Sequence, residues 1–154
     1  MENTAVEIRK ARCDDLNIVV SFKMDMFREV GSITLLQDNS EERIYEKYKE
    51  LYLSGKMCHF LLYDNGEAVA CGGAILKDDV PFCFFKTPIY GYIMDVYCIP
   101  EKRRNGYATK IIEELIKWLG SLGVHTVKLK PSAAGKQLYE RFGFCDSGEM
   151  ELWI

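Results

Sequence analysis

Residues 6–12, VEIRKAR, alternate apolar and polar side chains and predict a strand. Behind them Leu16, Val19, Val20 and Met24 recur at helical spacing, so a helix is expected to about Val30 with Asp14 or Asp15 as its cap. A second helix is expected from Ser40. There SEERIYEKYKELYLSG opens with a cap residue and first-turn acids, sets Ile44, Tyr48 and Leu51 on one face, and stops at Gly55. CHFLLYD and EAVACGGAIL flank Asn65-Gly66, a dipeptide suited to the two positive φ angles of a type I′ hairpin turn. Residues 78–89, DDVPFCFFKTPI, carry two prolines and three phenylalanines and predict an irregular loop, partly buried or partner-facing. YGYIMDVYCI, residues 90–99, is almost continuously apolar, as a strand covered on both faces must be, and Pro100 ends it. From Asn105 to Leu119, an apolar stripe of Ala108, Ile111, Ile112, Leu115 and Leu119 stands opposite Lys110, Glu113, Glu114 and Lys117. VHTVKLKP reads as a further strand, SAAGKQLYERFG as a short helix capped by Ser132 and ended by Gly143, and EMELWI as an alternating last strand. The order is mixed, an α/β (α+β) arrangement.

The 154 residues suit one domain, residues 1–154, with no repeat or linker. Hydrophobic residues make up 48% and charged residues 28%, which excludes a disordered or fibrous chain. The N-terminus MENTAVEIRK has no apolar signal core and no run of apolar residues is long enough to cross a bilayer, so a cytoplasmic protein without a membrane partner is expected. The six cysteines form no CxxC pair and mostly sit in apolar runs, reading as reduced core thiols; no metal site emerges. A net charge of −3 offers no broad basic surface for nucleic acid.

Positive charge is instead local. PEKRRNGYATK, residues 100–110, places Lys102, Arg103 and Arg104 between the apolar strand and the amphipathic helix. The first N–H groups of a helix have no partner within it and lie at the positive end of its dipole, so such a junction holds phosphate. Gly106 lets backbone approach an oxyanion, and Ala108 keeps the first turn small. Neither the P-loop string nor the dinucleotide-binding glycine pattern is present. The competing reading is an ordinary helix start with solvated charges.

The string Arg103-Arg104-Asn105-Gly106-Tyr107-Ala108 fits [QR]-x-x-G-x-[GA], and with MDVYCIPEKR before it and KQLYERFGF after it the chain resembles the GNAT superfamily of acyl-CoA-dependent N-acetyltransferases. The specific motifs cover about residues 90–144, and the order of elements extends the likeness over the whole chain. The resemblance implies a single GNAT-type domain: a central, mixed, mostly antiparallel sheet flanked by about four helices, with a splayed central strand. It implies acetyl-CoA as co-substrate, with backbone of Val96, Tyr97 and Cys98 along the pantetheine arm and Arg103, Arg104, Asn105, Gly106, Tyr107, Ala108 and Thr109 around the pyrophosphate. Ser132 stands where the family often has an asparagine touching the cofactor. Tyr139 matches the family's tyrosine near the cofactor sulfur, with aromatic packing against Phe142 or Phe144 as its alternative role.

Transfer needs a neutral amine, a polarised thioester carbonyl and a proton route for the thiolate. A free N–H at a bulge, that of Tyr97 or a neighbour, suits the carbonyl. A thiol of pKa ~8.5 leaves well and tyrosine at ~10 is the weaker acid, so protonation by Tyr139 is uphill by about 2 kcal/mol and Tyr139 serves mainly as a hydrogen-bond donor. A lysine-like amine needs about 4.6 kcal/mol to lose its proton at pH 7. Asp95, the one acid in the apolar strand, is the candidate base, its pKa raised by desolvation; alternatively it hydrogen-bonds backbone or a tyrosine. His59 and His125 open apolar strands and read as core or edge residues.

The resemblance also places an acceptor groove at residues 25–40 and 78–92. Met24, Met26, Phe27, Phe82, Phe84, Phe85, Tyr90 and Tyr92, with Asp25, Glu29, Asp38, Asp78 and Asp79, suit a small amine with an apolar body; core packing or a homodimer patch is the alternative. The expected function is acetyl transfer to a small-molecule primary amine in a ternary complex. The alternatives are a protein or peptide acetyltransferase and a non-catalytic acyl-CoA sensor, the second disfavoured by the intact LYERFGF.

Overall fold

A computed structural model describes residues 5–81 and 88–154. Among these, five strands form one sheet in the order β1-β2-β3-β4-β5: β1 Val6–Lys10, β2 Met57–Asp64, β3 Glu67–Asp78, β4 Ile89–Cys98 and β5 Val127–Lys128. The first three junctions are antiparallel and the last is parallel. Four helices complete the described fold: α1 Leu16–Glu29, α2 Ser40–Leu53, α3 Tyr107–Ser121 and α4 Lys136–Arg141.

The hairpin between β2 and β3 follows from Asn65 at φ 52° and Gly66 at φ 82°, the pair of positive angles that a type I′ turn needs. Alternation along the strands then feeds two cores. Cys58, Leu62, Ala70 and Ile93 face the stripe Ile111, Ile112, Leu115 and Leu119 of α3. Met57, Leu61 and Cys71 face Leu16, Val19, Val20 and Phe22 of α1 and Tyr48 of α2. The adjacent glycines of β3 fit one core each. A β-carbon on Gly72 would fall 2.5 Å from Ile111 of α3, and one on Gly73 would fall 2.3 Å from Nε2 of His59 on the other face.

Several expected elements are shorter or absent. The strand expected over residues 124–131 is reduced to Val127–Lys128, because β4 pairs with it only through Gly91–Val127 and Tyr92–Lys128 before the two diverge. EMELWI joins no described strand. Its alternation is used by ion pairs instead, Glu149 with Lys128 at 2.5 Å and Glu151 with Lys130 at 2.7 Å, while Met150, Leu152 and Trp153 are exposed. The last helix starts at Lys136, and Ser132 closes the preceding turn by accepting the Gly135 N–H at 3.1 Å. Asp15 does not cap α1. Its carboxylate receives both outer nitrogens of Arg9 at 2.8 Å and the Arg12 N–H at 2.8 Å.

Candidate active site

Between β4 and α3 the chain makes a short turn at Pro100–Lys102 and passes through Arg104 at φ 65° and Gly106 at φ 73°. The first helical bond runs from the Lys110 N–H to the Gly106 carbonyl. Among the described residues, no backbone or side-chain acceptor takes the N–H groups of Arg104, Asn105, Gly106, Tyr107, Ala108 or Thr109. A β-carbon on Gly106 would meet nothing within 4 Å, so the glycine is there for its backbone angle and the space above it is open. Consecutive free N–H groups at a helix start with open space above them form an anion cradle.

The three cations of this turn have different tasks, which corrects the expectation that all converge on the anion. Lys102 donates at 2.7 Å to Asp64, which also accepts the Tyr107 hydroxyl at 3.1 Å. The Lys102 ammonium accordingly holds the Asp64 carboxyl below the usual carboxylate range. Arg103 pairs with Glu29 at the end of α1 at 2.6 Å and donates from Nε to the Cys98 carbonyl at 2.9 Å. Lys102 and Arg103 are therefore engaged within the fold, and Arg104 alone of the three has no carboxylate partner among the described residues. Asn105 braces the turn, donating to the Lys102 carbonyl at 2.9 Å.

Beyond Tyr92, β4 has no ladder on the β5 side among the described residues, so residues 93–98 border a gap there. A bulge interrupts this stretch: Gly73 pairs with Met94 and Cys71 with Tyr97, leaving Asp95 and Val96 opposite Gly72 alone. Past the bulge, the Ile99 N–H donates to Val69 of β3. By the alternation of a strand the Tyr97 N–H also faces β3, whereas those of Val96 and Cys98 face the gap. Of the N–H groups expected to suit the carbonyl, those of Tyr97 or a neighbour, the ones facing the gap are the neighbours'. The Tyr97 ring lies on the α1 side, 6.0 Å from that of Phe22.

Asp95 sits at φ 58° with its side chain 3% exposed, on the face covered by α1 and α2. It accepts from Lys23 Nζ at 2.5 Å, the Tyr48 hydroxyl at 2.5 Å and His59 Nε2 at 2.9 Å. With Nε2 donating to the carboxylate, His59 Nδ1 is the acceptor for the Tyr52 hydroxyl at 2.8 Å. Burial alone would raise the Asp95 carboxyl, but the hydrogen bonds from His59 and Lys23 and the charge of the Lys23 ammonium hold it well below the ordinary range. The expectation of a raised, base-like Asp95 is overturned, and the alternative of a hydrogen bond to a tyrosine is what the site contains. Burial pushes the Tyr48 and Tyr52 phenols up, so both stay donors. His59 is a fully buried core residue and His125 is exposed.

Tyr139 on α4 packs edge-on against Phe144 with ring centres 5.8 Å apart. Together with Tyr92 and Lys128, the last pair of the β4–β5 ladder, it lines a cavity of about 500 Å³. Its hydroxyl has no partner among the described residues, and burial pushes its phenol up. Ser132 is exposed, its oxygen already engaged by Gly135.

On the acceptor side, Met24 belongs to the core, Phe27 lies 5.3 Å from Lys23 Nζ, and Glu29 is taken by Arg103. Phe82, Phe84 and Phe85 lie outside the described residues. A cleft of about 660 Å³ opens between α1 and α2, lined by Asn17, Arg28, Glu42 and Tyr45 among others, but none of Lys23, Asp95 or Tyr139 reaches it. Among the described residues no group of side chains suits a metal ion, and no helix is long and apolar enough to cross a membrane.

Solved structures share this architecture. A predicted acetyltransferase with acetyl-CoA from Clostridium acetobutylicum is 22% identical, with a TM-score of 0.87 over 97% of this chain and 96% of that one. A GCN5-related N-acetyltransferase from Ralstonia eutropha JMP134 is 23% identical, also with a TM-score of 0.87, over 97% and 99%. The glucosamine-6-phosphate N-acetyltransferase of Arabidopsis thaliana is 21% identical, with a TM-score of 0.70 over 97% and 98%. No curated protein sequence matches the chain. Residues 24–144, which hold the end of α1, the bulged strand, the turn at Gly106 and Tyr139, match the acetyltransferase (GNAT) family, and the chain belongs to it.

Proposed function

We propose that this acetyltransferase moves the acetyl group of acetyl-CoA directly to the neutral primary amine of a small molecule within a ternary complex. The observation that carries the reading is the run of free N–H groups from Arg104 to Thr109 beside the unpaired half of β4. The first suits a pyrophosphate, with Arg104 as its countercharge, and the second suits the amide-bearing pantetheine arm. The acetylated glucosamine phosphate of the Arabidopsis relative supports a small acceptor.

In this reading a gap-facing N–H of Val96 or Cys98 donates to the thioester carbonyl and stabilises the charge that gathers there as the amine attacks. The new N–C bond forms, the C–S bond breaks, and its electron pair leaves on sulfur. Tyr139 donates a hydrogen bond to that sulfur; burial makes its phenol a still weaker acid, so full proton transfer is not its task. Asp95, already ion-paired with Lys23, is not the base. The amine supplies its neutral form by its own equilibrium with water. Within the same reading the reaction belongs to the cytoplasm, consistent with free thiols at every described cysteine.

The test is a screen of amines that follows free thiol released from acetyl-CoA, with water as the control acceptor. Amine-dependent release is the expected result, and release no faster than with water for every small amine, alongside turnover with peptides, would replace the small-molecule reading.

A further inference from the structure

Asp95 takes a left-handed conformation in the middle of a strand, an unusual place for one, which even aspartate adopts only with local support. The support is visible. Ile93 packs towards α3 and Met94 towards α1 and α2, and a regular strand would turn the next side chain back into the apolar α3 core. At φ 58° the Asp95 carboxylate instead joins Met94 on the α1–α2 face, where Tyr48, His59 and Lys23 receive it from three separate elements. From Val96 onward the alternation resumes one residue out of step, Val96 towards α3 and Tyr97 towards Phe22. Removing the extra residue from the bulge would exchange the faces of every side chain from Val96 to Cys98 and rotate their N–H groups between β3 and the gap.

We infer that Asp95 is a positioning residue of the transfer site, and that the hold of Tyr48, His59 and Lys23 on its carboxylate fixes the bulge and hence the register in which Val96 and Cys98 present their N–H groups to the gap. This rests on the acetyl-transfer reading above for its consequence in catalysis, but the hold itself is a property of the free protein. The carboxylate suits the task because its two oxygens accept all three donors at once, and Lys23 compensates its charge in a site closed to water. His59 is in turn fixed by Tyr52 and by the bare backbone of Gly73 beneath its ring.

The experiment compares Asp95→Ala, Asp95→Asn and Tyr48→Phe with the parent protein in two measurements. In the first, amide and carbon chemical shifts of residues 93–98 are recorded without substrate. The left-handed signature at position 95 should be lost in Asp95→Ala and kept in Asp95→Asn, since asparagine tolerates this region and retains an acceptor oxygen. Tyr48→Phe, which leaves the charges in place, should shift the amides of Val96 and Cys98. In the second, kcat should fall by about 10²-fold in Asp95→Ala with KM for acetyl-CoA changed much less, the scale of losing one well-placed donor to a developing oxyanion. Asp95→Asn, whose single acceptor oxygen cannot meet all three donors, should fall less than Asp95→Ala, and the rising limb of its kcat/KM profile with pH should keep its midpoint. An Asn variant as impaired as Ala with the limb abolished would make Asp95 a base and overturn the inference. So would an unchanged backbone signature in Asp95→Ala and Tyr48→Phe. Absence of turnover in the parent protein, with the shifts behaving as expected, would sink the acetyl-transfer reading and leave the hold standing.

Discussion

The imidazole of His59 rests on the backbone of Gly73, its cross-strand partner, so closely that a β-carbon on Gly73 would fall 2.3 Å from Nε2 and 2.5 Å from Cδ2. The ring is fully buried and hydrogen-bonded at both nitrogens, so it has nowhere to retreat without breaking one of those bonds. Gly73→Ala is therefore expected to cost at least about 2 kcal/mol, combining overpacking with a strained bond to a buried carboxylate. Urea denaturation measures this, and a loss below about 0.5 kcal/mol would mean that the strand yields more easily than the ring.

Gly106 separates backbone strain from charge. Gly106→Ala places a side chain at φ 73° but in open space, and should weaken acetyl-CoA binding by no more than about tenfold. Gly106→Glu adds a carboxylate where the pyrophosphate is proposed to lie, and should weaken it beyond about 100-fold. Calorimetry on the folded variants decides; equal affinities for Ala and Glu would place the anion elsewhere.

Tyr139→Phe removes a hydroxyl that has no partner among the described residues while preserving the edge-on contact with Phe144. Single-turnover acetyl transfer should slow by about tenfold and by no more than about 10²-fold, the low end for acid catalysis, because the buried phenol is a reluctant acid. Affinity for acetyl-CoA should hardly change. Parent-like single-turnover rates would return Tyr139 to packing alone.

The fork of hydrogen bonds from Arg9 holds the Asp15 carboxyl at about 2, below its ordinary 3.8, against the opposing effect of burial. A lowered carboxyl pKa stabilises the fold above the unfolded value and ceases to do so as the pH falls through the folded one, here from about 4 towards 2. The parent protein should lose about 2 kcal/mol across that window through this residue. Asp15→Asn should already have lost it at pH 7 and show a flatter profile, which thermal melts at a series of pH values will register.

The elements that position the site were legible where the signal was local. Asn65-Gly66 specified its hairpin, the stripe from Ala108 to Leu119 specified α3, and Gly106 specified the left-handed turn into it. The partners that decide each charge were not legible, because they come from distant parts of the chain. Lys102 finds Asp64, Arg103 finds Glu29, and Asp95 is met by Lys23, Tyr48 and His59, none of which is its sequence neighbour. Burial of Asp95 was readable from the apolar run around it, yet the sign of its pKa shift depends on those three donors. Residues 149–154 misled for a related reason: alternation describes an extended chain, whereas a strand also needs a neighbour with free backbone groups.

Strand edges normally lie at the rim of a sheet, where charge or proline discourages another chain from adding to them. Among the described residues the second half of β4 is an edge beyond the short β5, and its sequence IMDVYC has no proline and a single charge, turned to the other side and neutralised by Lys23. Such a segment has the composition of an aggregation template. A ligand in the gap would act as a plug as well as a reactant, so the protein should survive storage and concentration better with CoA present than without it.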